Sequence, residues 1–353
     1  MPDKKTGAVT ANGWRDTLRR VKRGWNDKPL MSISLVLVLL VIIQILQFGF
    51  DYQSVGEWAD RIVKNWLNIL LNNSYVGIIA LGMTFVIISG GIDLAVGSTL
   101  VAVGAVVMLL INIRDVGVLL SLGITGTPAI LLGILAGLLV GFVLGEVNGL
   151  VVTKGRVPPF IVTLGTMKIY RSVTMYYMQS LRGLSLPEEF KQIARFTIGD
   201  TMLLPILYWF ALAAVLHIVS RRTVFGRHVY AIGSNERTAR LSGIPVDRVK
   251  RRVYVLMGVI VAIAAIIQIA RIGDMDYTSA GSGYEMNAIA AVIIGGTAMS
   301  GGRGSIMGTL LGTLILAMVS NLLTLIGVAT LLREAFIGFI VVAAVLMQRK
   351  EKE

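Results

Sequence analysis

Long runs of apolar residues dominate the chain, and polar residues are confined to short intervals between them. Runs of about 20 apolar residues match the roughly 30 Å hydrocarbon core of a bilayer when they are helical. The pattern predicts an all-α polytopic membrane protein of about ten transmembrane helices. We expect spans near 30–49, 70–89, 94–113, 128–148, 158–178, 202–220, 252–271, 285–299, 305–327 and 331–348. The eighth is short and glycine-rich, which is typical of a broken or re-entrant helix.

The polar intervals divide the chain into one membrane domain and two tails. Residues 1–29 are polar and basic, and we expect a cytoplasmic tail. The first apolar run is too long for a signal-peptide core and is not followed by a small-residue cleavage site, which favours a retained helix. The membrane domain covers 30–348, its longest inner loop is 221–251, and 349–353 form a second cytoplasmic tail. The first outer loop is expected at 50–69.

Positive charge predicts the orientation of the bundle. Ten crossings place both termini on one side of the membrane. With the N-terminus inside, 23 of the 33 Lys and Arg residues lie in inner segments and eight in outer loops. This bias fits the positive-inside rule, so both termini are expected to be cytoplasmic. Contact with anionic lipid head groups also explains the net charge of +13, and nucleic acid is not needed to explain it.

The composition argues against several kinds of catalytic site. The chain has no cysteine and only two histidines, His217 and His228, which lie on different segments. A thiolate nucleophile is therefore excluded, and a zinc site is not expected. No GxxxxGK[ST] phosphate loop occurs, so we expect no ATP hydrolysis by this chain. We predict no catalytic residue, no metal site and no cofactor bound by the chain itself.

Glycine recurs every fourth residue in two predicted spans. Small residues at this spacing lie near one helix face and let backbones approach closely in lipid, where dispersion contacts replace the hydrophobic effect. Static close packing is the preferred interpretation, and a path lining or moving contact is the alternative. The residues are Gly133, Gly137, Gly141, Gly145 and Gly149 in the fourth span, and Gly304, Gly308 and Gly312 in the ninth.

A few polar or ionisable side chains fall within the spans or at their ends. A charge near the bilayer centre costs roughly 2.5–3.5 kcal/mol, so it needs a partner or an aqueous cavity. The polar lining of a solute path and a structural ion pair, such as Glu146 with Lys168 or Arg171, both stay open. For the carboxylate of Asp93, capping of a helix start is the preferred interpretation, and a role in coupling is the second. The candidates are Asp93 (the capping carboxylate), Glu146, Asn148, Lys168 and Arg171.

The longest inner loop contains the signature of a short helix. Ser234 or Asn235 can cap its start, Glu236 suits its first turn, and Gly243 with Pro245 marks its end. A helix of about eight residues is not stable alone in water. It therefore needs a docking surface, either on its own bundle or on a partner protein.

Several segments, taken together and in this order, resemble one family: permease subunits of ATP-binding-cassette importers for ribose, galactose, xylose and similar monosaccharides. Singly each segment is unspecific, and the resemblance spans about 70–345. The segments are GMT at 82–84, GGIDLAVG at 90–97, NG at 148–149, PFIVTLGT at 159–166, TVFGR at 223–227, AIGSN at 231–235, Ala239, SGI at 242–244, YE at 284–285 and IAAVIIGG at 289–296. The basic N-terminal tail and the first outer loop, with Trp58 and Trp66, depart from the pattern.

The resemblance implies a bacterial plasma-membrane permease that passes a monosaccharide inward by alternating access. A separate ATPase subunit would use ATP and magnesium, an extracytoplasmic binding protein would deliver the sugar, and a second permease subunit, identical or not, would complete the path. The resemblance also implies a coupling helix at about 235–242 that docks on the ATPase. Its contact residues would be Asn235, Glu236, Ala239, Ser242, Gly243 and Ile244.

Other functions stay open from the residues alone. An ion-coupled secondary transporter would use glycine-broken helices and an intramembrane acid, for which Glu146 is the candidate. Within the importer class, a nucleoside or a signalling furanose could replace the monosaccharide. A membrane-bound enzyme is disfavoured because the spans lack a cluster of histidines or acids.

Overall fold

The computed structural model describes residues 29–49, 54–113, 117–179, 184–198, 201–329, 332–333, 335–340 and 342–343. These residues form a helical bundle, and the predicted all-α class is confirmed. The exception is one antiparallel pair of two-residue strands, β1 Thr197–Ile198 and β2 Thr201–Met202. The predicted tails 1–29 and 349–353 lie outside the described residues, apart from Pro29 at the start of the first helix.

Thirteen helices with defined bounds follow one another in the described part of the chain. Before the strand pair these are α1 Pro29–Phe48, α2 Val55–Ile88, α3 Val96–Ile111, α4 Val118–Ser121, α5 Gly126–Lys154, α6 Pro159–Met178 and α7 Glu188–Lys191. After the pair these are α8 Leu204–Arg222, α9 Val224–Ser234, α10 Glu236–Leu241, α11 Val246–Ile272, α12 Tyr284–Ile294 and α13 Ile306–Leu325. The tenth predicted span, 331–348, is helical at 332–333, 335–340 and 342–343, and its bounds lie outside the described residues.

Six of the described helices are long and apolar enough to cross a bilayer: α1, α2, α5, α8, α11 and α13. Helices α3 and α12 are apolar but shorter, at 16 and 11 residues. Helix α6 has 20 residues and carries Lys168 and Arg171. The chain is therefore a multi-pass membrane protein, while ten crossings and the side on which the termini lie stay predictions.

Three helix boundaries differ from those of the predicted spans. The outer loop expected at 50–69 is helical from Val55, because Ser54 caps α2 by accepting a hydrogen bond from the backbone N–H of Glu57. The inner loop expected at 221–251 is largely helical, since Thr223 caps α9 and α11 already begins at Val246. Helix α12 ends at Ile294, five residues before the predicted end of its span.

The glycines of α5 form its contact with two neighbouring helices. Gly133 and Gly137 face Ile111 and Val107 of α3. The remaining three face the backbone of α11, where a Cβ at Gly141 would overlap the carbonyl oxygen of Gly258. The opposite face of α5 exposes Leu131, Leu135, Leu139 and Phe142. Helix α5 therefore presents its backbone to the bundle and its large apolar side chains to the surroundings.

The second glycine repeat behaves differently at its first position. Gly308 and Gly312 lie against the carbonyl oxygens of Gly295 and Ala291, so α13 packs closely on α12 and its C-terminal end. Gly304 precedes α13, has a φ of +157° and faces Thr297. Its assignment to the helix face is wrong because Ser305 caps α13 and the helix starts only at Ile306.

Helices α2 and α11 occupy the centre of the bundle, and α1 lies at its edge. The most apolar windows of α2 and α11 are 83% and 78% buried, against 6% for α1. Helix α1 is held by a small apolar cluster around Met318 and by Gln44, whose Nε2 donates to Oδ1 of Asn321. The buried core is therefore formed mainly by α2, α3, α11 and α12, and α1 contributes little to it.

Candidate functional site

Two loops and the end of α9 meet at one end of the bundle. The backbone N–H of Gly302 donates to the carbonyl oxygen of Ile88 at 2.9 Å. A Cβ at Gly233, in the last turn of α9, would overlap that same oxygen. Gly302 has a φ of +74°, which favours glycine. We call this contact of Ile88, Gly233 and Gly302 the glycine seat. The backbones approach so closely that positions 233 and 302 have no room for a side chain.

Helix α10 follows the glycine seat directly. Asn235 caps it, since its Oδ1 accepts from the backbone N–H of Thr238 at 2.9 Å. Gly243 adopts a φ of +82° just after the helix and lets the chain turn into α11. The structure thus contains a short helix at Glu236–Leu241, inside the range 235–242 expected for a coupling helix.

The two faces of α10 differ in polarity and exposure. Ala239 is 4% exposed and packs against the chain's own core, so its assignment to a partner contact does not fit the structure. Asn235, Ser242 and Gly243 are exposed, and Ile244 is half-buried. Leu241 is 81% exposed, and sequence reasoning missed it. The sequence alone could not identify it, because residues two apart on a helix lie about 200° apart and Leu241 is placed outward only by the burial of Ala239 that the structure shows.

Charged side chains join α10 to the first turns of α11. Lys250 Nζ lies 2.6 Å from Oε2 of Glu236, and Arg240 Nη2 lies 2.8 Å from Oδ1 of Asp247. Arg240 also approaches Oε1 of Glu236 at 3.3 Å. The hydrogen bond from Lys250 is the main cause that holds the pKa of Glu236 below its ordinary value of 4.5. Glu236 is therefore engaged within the chain, and its contact with an ATPase subunit stays a prediction.

Asp93 lies in the connection between α2 and α3, where its side chain is buried. Its Oδ1 accepts from the backbone N–H of Ala95 at 2.9 Å, one residue before α3, so it satisfies a backbone donor at the helix start as expected. Asn148 of α5 lies close enough to the same carboxylate to lower its pKa, and its Oδ1 accepts from the hydroxyl of Tyr170 at 3.2 Å. Burial raises the pKa of Asp93 to about 6. Asp93 and Asn148 therefore form one buried polar cluster.

The other three ionisable candidates do not meet one another. Glu146 pairs with Arg251 of α11, whose Nε lies 2.6 Å from its Oε1. Among the described residues its partner is thus neither Lys168 nor Arg171, the two pairings that the sequence left open. Arg171 instead donates from Nη1 to the carbonyl oxygens of Tyr277 and Ala280, at 3.1 and 2.7 Å. It thereby holds the connection between α11 and α12 against α6.

One face of α6 is exposed and mixed in polarity. Lys168 is the tenth of its 20 residues, and its side chain is exposed on the same face as Gly165 and Ser172. A charged side chain at mid-helix is costly in hydrocarbon and is favoured beside water or a partner. The helix also exposes Ile161 and Ile169, so Lys168 and Ser172 interrupt a surface that is otherwise largely apolar, in contrast with the leucine face of α5.

The chain is similar to known transport proteins over most of its length. A family profile described as "Branched-chain amino acid transport system / permease component" matches residues 65–345. The chain is 42% identical to the Ribose import permease protein RbsC of Bacillus subtilis (strain 168) over 290 residues, which are 81% of this chain and 85% of that protein. It is 38% identical to RbsC of Escherichia coli (strain K12) over 328 residues, 91% and 94% of the two chains. It is 31% identical to the Xylose transport system permease protein XylH of Haemophilus influenzae over 385 residues, 92% and 99% of the two chains.

Proposed function

Because the chain belongs to the family of branched-chain amino acid transport system permease components, we propose that it is the permease subunit of an ATP-binding-cassette importer. The solute class is a monosaccharide. The observation that carries this choice is the 38% identity to a ribose import permease over nine-tenths of the chain. The xylose relative supports a pentose-like sugar over a branched-chain amino acid.

The proposed energy source is a separate ATPase subunit that binds ATP and magnesium and docks on α10. The exposure of Leu241 supports this proposal, because a large apolar side chain on a loop helix is a suitable anchor for a partner groove. Arg237, also exposed, lies one helical turn away and would favour an acidic rim around that groove. The contact set is thus Arg237, Leu241, Ser242 and Gly243.

The proposed transport step is alternating access between two permease copies. Closure of the ATPase pair would displace α10, and the glycine seat would transmit that displacement to the end of α2 and to the connection between α12 and α13. An extracytoplasmic binding protein would release the sugar to the outward-open path. The exposed face of α6 supports a path at the junction of the two copies, because Lys168, Ser172 and Gly165 offer a polar surface to a hydroxylated solute.

Co-purification with two variants of one residue tests the docking proposal. We expect Leu241→Asp to release the ATPase subunit from the permease in mild detergent and to abolish sugar uptake, because a carboxylate in an apolar groove is strongly disfavoured. Leu241→Met keeps the volume and apolarity and should retain both. Labelled ribose and xylose serve as uptake probes. Retention of the ATPase by Leu241→Asp would refute docking through this face, and its absence from the wild type after crosslinking in membranes would refute the importer function.

A further inference from the structure

The turn between α10 and α11 is closed by backbone hydrogen bonds, from the N–H of Gly243 to the carbonyl oxygen of Arg240 and from the N–H of Ile244 to that of Ala239, both at 3.1 Å. It consists of residues 242–245, and at its centre Gly243 has a φ of +82° and no atom within 4 Å of where a Cβ would lie. Helix α10 has six residues and only Ala239 is buried along it. Because a single buried side chain provides little packing, side-chain contacts with α11 contribute the rest of its orientation.

Two ion pairs supply that orientation, and both reach from α10 to α11. Lys250 approaches Glu236 at 2.6 Å, and Arg240 reaches Asp247 with Nη2 at 2.8 Å and Nη1 at 3.4 Å. The pairs leave α10 one turn apart and enter α11 three residues apart, so each helix is held at two points. The side chain of Lys250 is 20% exposed, so this pair is less screened than a fully solvated one.

A further ion pair links α11 to α5. Arg251, the neighbour of Lys250, pairs with Glu146 of α5 at 2.6 Å. Next to this pair, Gly145 and Gly149 of α5 lie against the backbone of Tyr254 and Arg251. A displacement of the first turns of α11 is therefore passed to α5 through both charge and backbone contact.

We propose that Glu236, Arg240, Asp247 and Lys250 form a brace that makes α10 and α11 move as one rigid unit. The inference rests on the proposed function, because α10 is taken as the docking helix for the ATPase. The four residues are positioning residues that touch neither ATPase nor solute. Glu236 and Arg240 orient α10, while Asp247 and Lys250 convey its displacement to α11. Without the brace, α10 would stay docked while α11 no longer followed it.

The test removes the brace from the α11 side and leaves α10 unchanged. The double variant Asp247→Ala/Lys250→Met deletes one anion and one cation, so the net charge is preserved. The matched control is Arg248→Met, an exposed cation in the same turn for which the described residues supply no ion-pair partner. Three quantities are measured: hydrogen exchange of the amides at 238–244 in the permease alone in nanodiscs, retention of the ATPase subunit, and sugar transported per ATP hydrolysed by the assembled importer in proteoliposomes.

We expect the double variant to retain the ATPase subunit, to exchange these amides at least about five-fold faster, and to lose about five-fold or more of its transport per ATP. The control should match the wild type in all three. Unchanged exchange, or faster exchange with unchanged transport per ATP, would overturn the brace. Should the wild type hold no ATPase, the proposed function fails, and exchange alone decides whether the four charges orient α10.

Discussion

At the scale of single residues, the closest contacts of the bundle are made where side chains are missing. A Cβ at Gly141 would overlap the carbonyl oxygen of Gly258, and a Cβ at Gly258 would overlap that of Gly141. The two backbones are therefore in mutual contact, which fixes the distance between α5 and α11. The spacing of the glycines in the sequence predicted close packing, but it could not identify α11 and α3 as the partners.

Adding a single methyl group tests this contact. Gly141→Ala must push α5 and α11 apart, and we expect a loss of roughly 1–3 kcal/mol of stability, seen as a lower thermal midpoint in detergent. The control is Gly338→Ala, where no atom lies within 4 Å of the added Cβ and the chain is helical. That change should be neutral or stabilise by up to about 1 kcal/mol. Equal midpoints for the two variants would contradict the assigned packing.

Asp93 gives a prediction about pH. Its pKa in the folded chain is about 6, above the ordinary 3.8, so the folded state keeps the proton over this window. Protonation of the buried Asp93 carboxylate adds to the free energy of unfolding. This contribution is fully present below pH 3.8 and is lost as the pH rises to about 6, by an amount on the order of 3 kcal/mol. Asp93→Asn keeps the acceptor for Ala95 and cannot titrate.

We therefore expect Asp93→Asn to gain thermal stability relative to the wild type as the pH is raised from 4 to 7, with no further gain above it. Midpoints measured in detergent at each pH provide the comparison. Parallel pH curves for the two proteins would show that Asp93 titrates near its ordinary value and is not desolvated.

At the scale of the element, the helices differ in what their outward faces present. Helix α5 exposes leucines, whereas α6 exposes Lys168, Gly165 and Ser172 among apolar side chains such as Ile169. Apolar pattern alone predicted both as spans and gave bounds for α6 within one residue of those observed. It could not assign the environment of the face, because polarity averaged over a helix does not say which side chains point into the bundle.

Cysteine accessibility can separate a path-lining face from a lipid-facing one, and the chain has no native cysteine to interfere. We expect Lys168→Cys and Ser172→Cys to react with a charged, water-borne thiol reagent in the assembled importer, with rates that change when ATP is added. Leu135→Cys, on the exposed leucine face of α5, is the control and should stay unreactive. Reaction at Leu135→Cys alone would place the aqueous path elsewhere.

At the scale of the whole molecule, the order and class of the main helices were predictable from the sequence, but the connections between them were not. Hydrophobic runs report burial or lipid contact, and nine predicted spans coincide with helices of the structure. The glycine seat joins Ile88, Gly233 and Gly302, which are far apart in sequence and carry no periodic signal. The pairing of Glu146 with Arg251 depends on the same kind of tertiary approach, so local pattern could not identify Arg251 as the partner.

The predicted topology places α7 and α10 on opposite sides of the membrane, because the predicted span of α8 lies between them. We expect Thr238→Cys, exposed on α10, to react with an impermeant maleimide only after spheroplasts are opened, because α10 is predicted to be cytoplasmic. Glu189→Cys, exposed on α7, should react in intact spheroplasts. The two sites act as controls for each other. Labelling of both from one side would contradict the predicted topology.

The small number of contacts that hold α1 has a consequence for sequence variation among related proteins. This helix meets the rest of the protein through one small apolar cluster and the amide group of Gln44, and the family profile begins only at residue 65. An element joined through so few side chains can be gained, lost or exchanged in a lineage without re-selection of the interior. Natural variation among related proteins should therefore concentrate at this helix, while the glycine contacts of α5 and α11 tolerate little change.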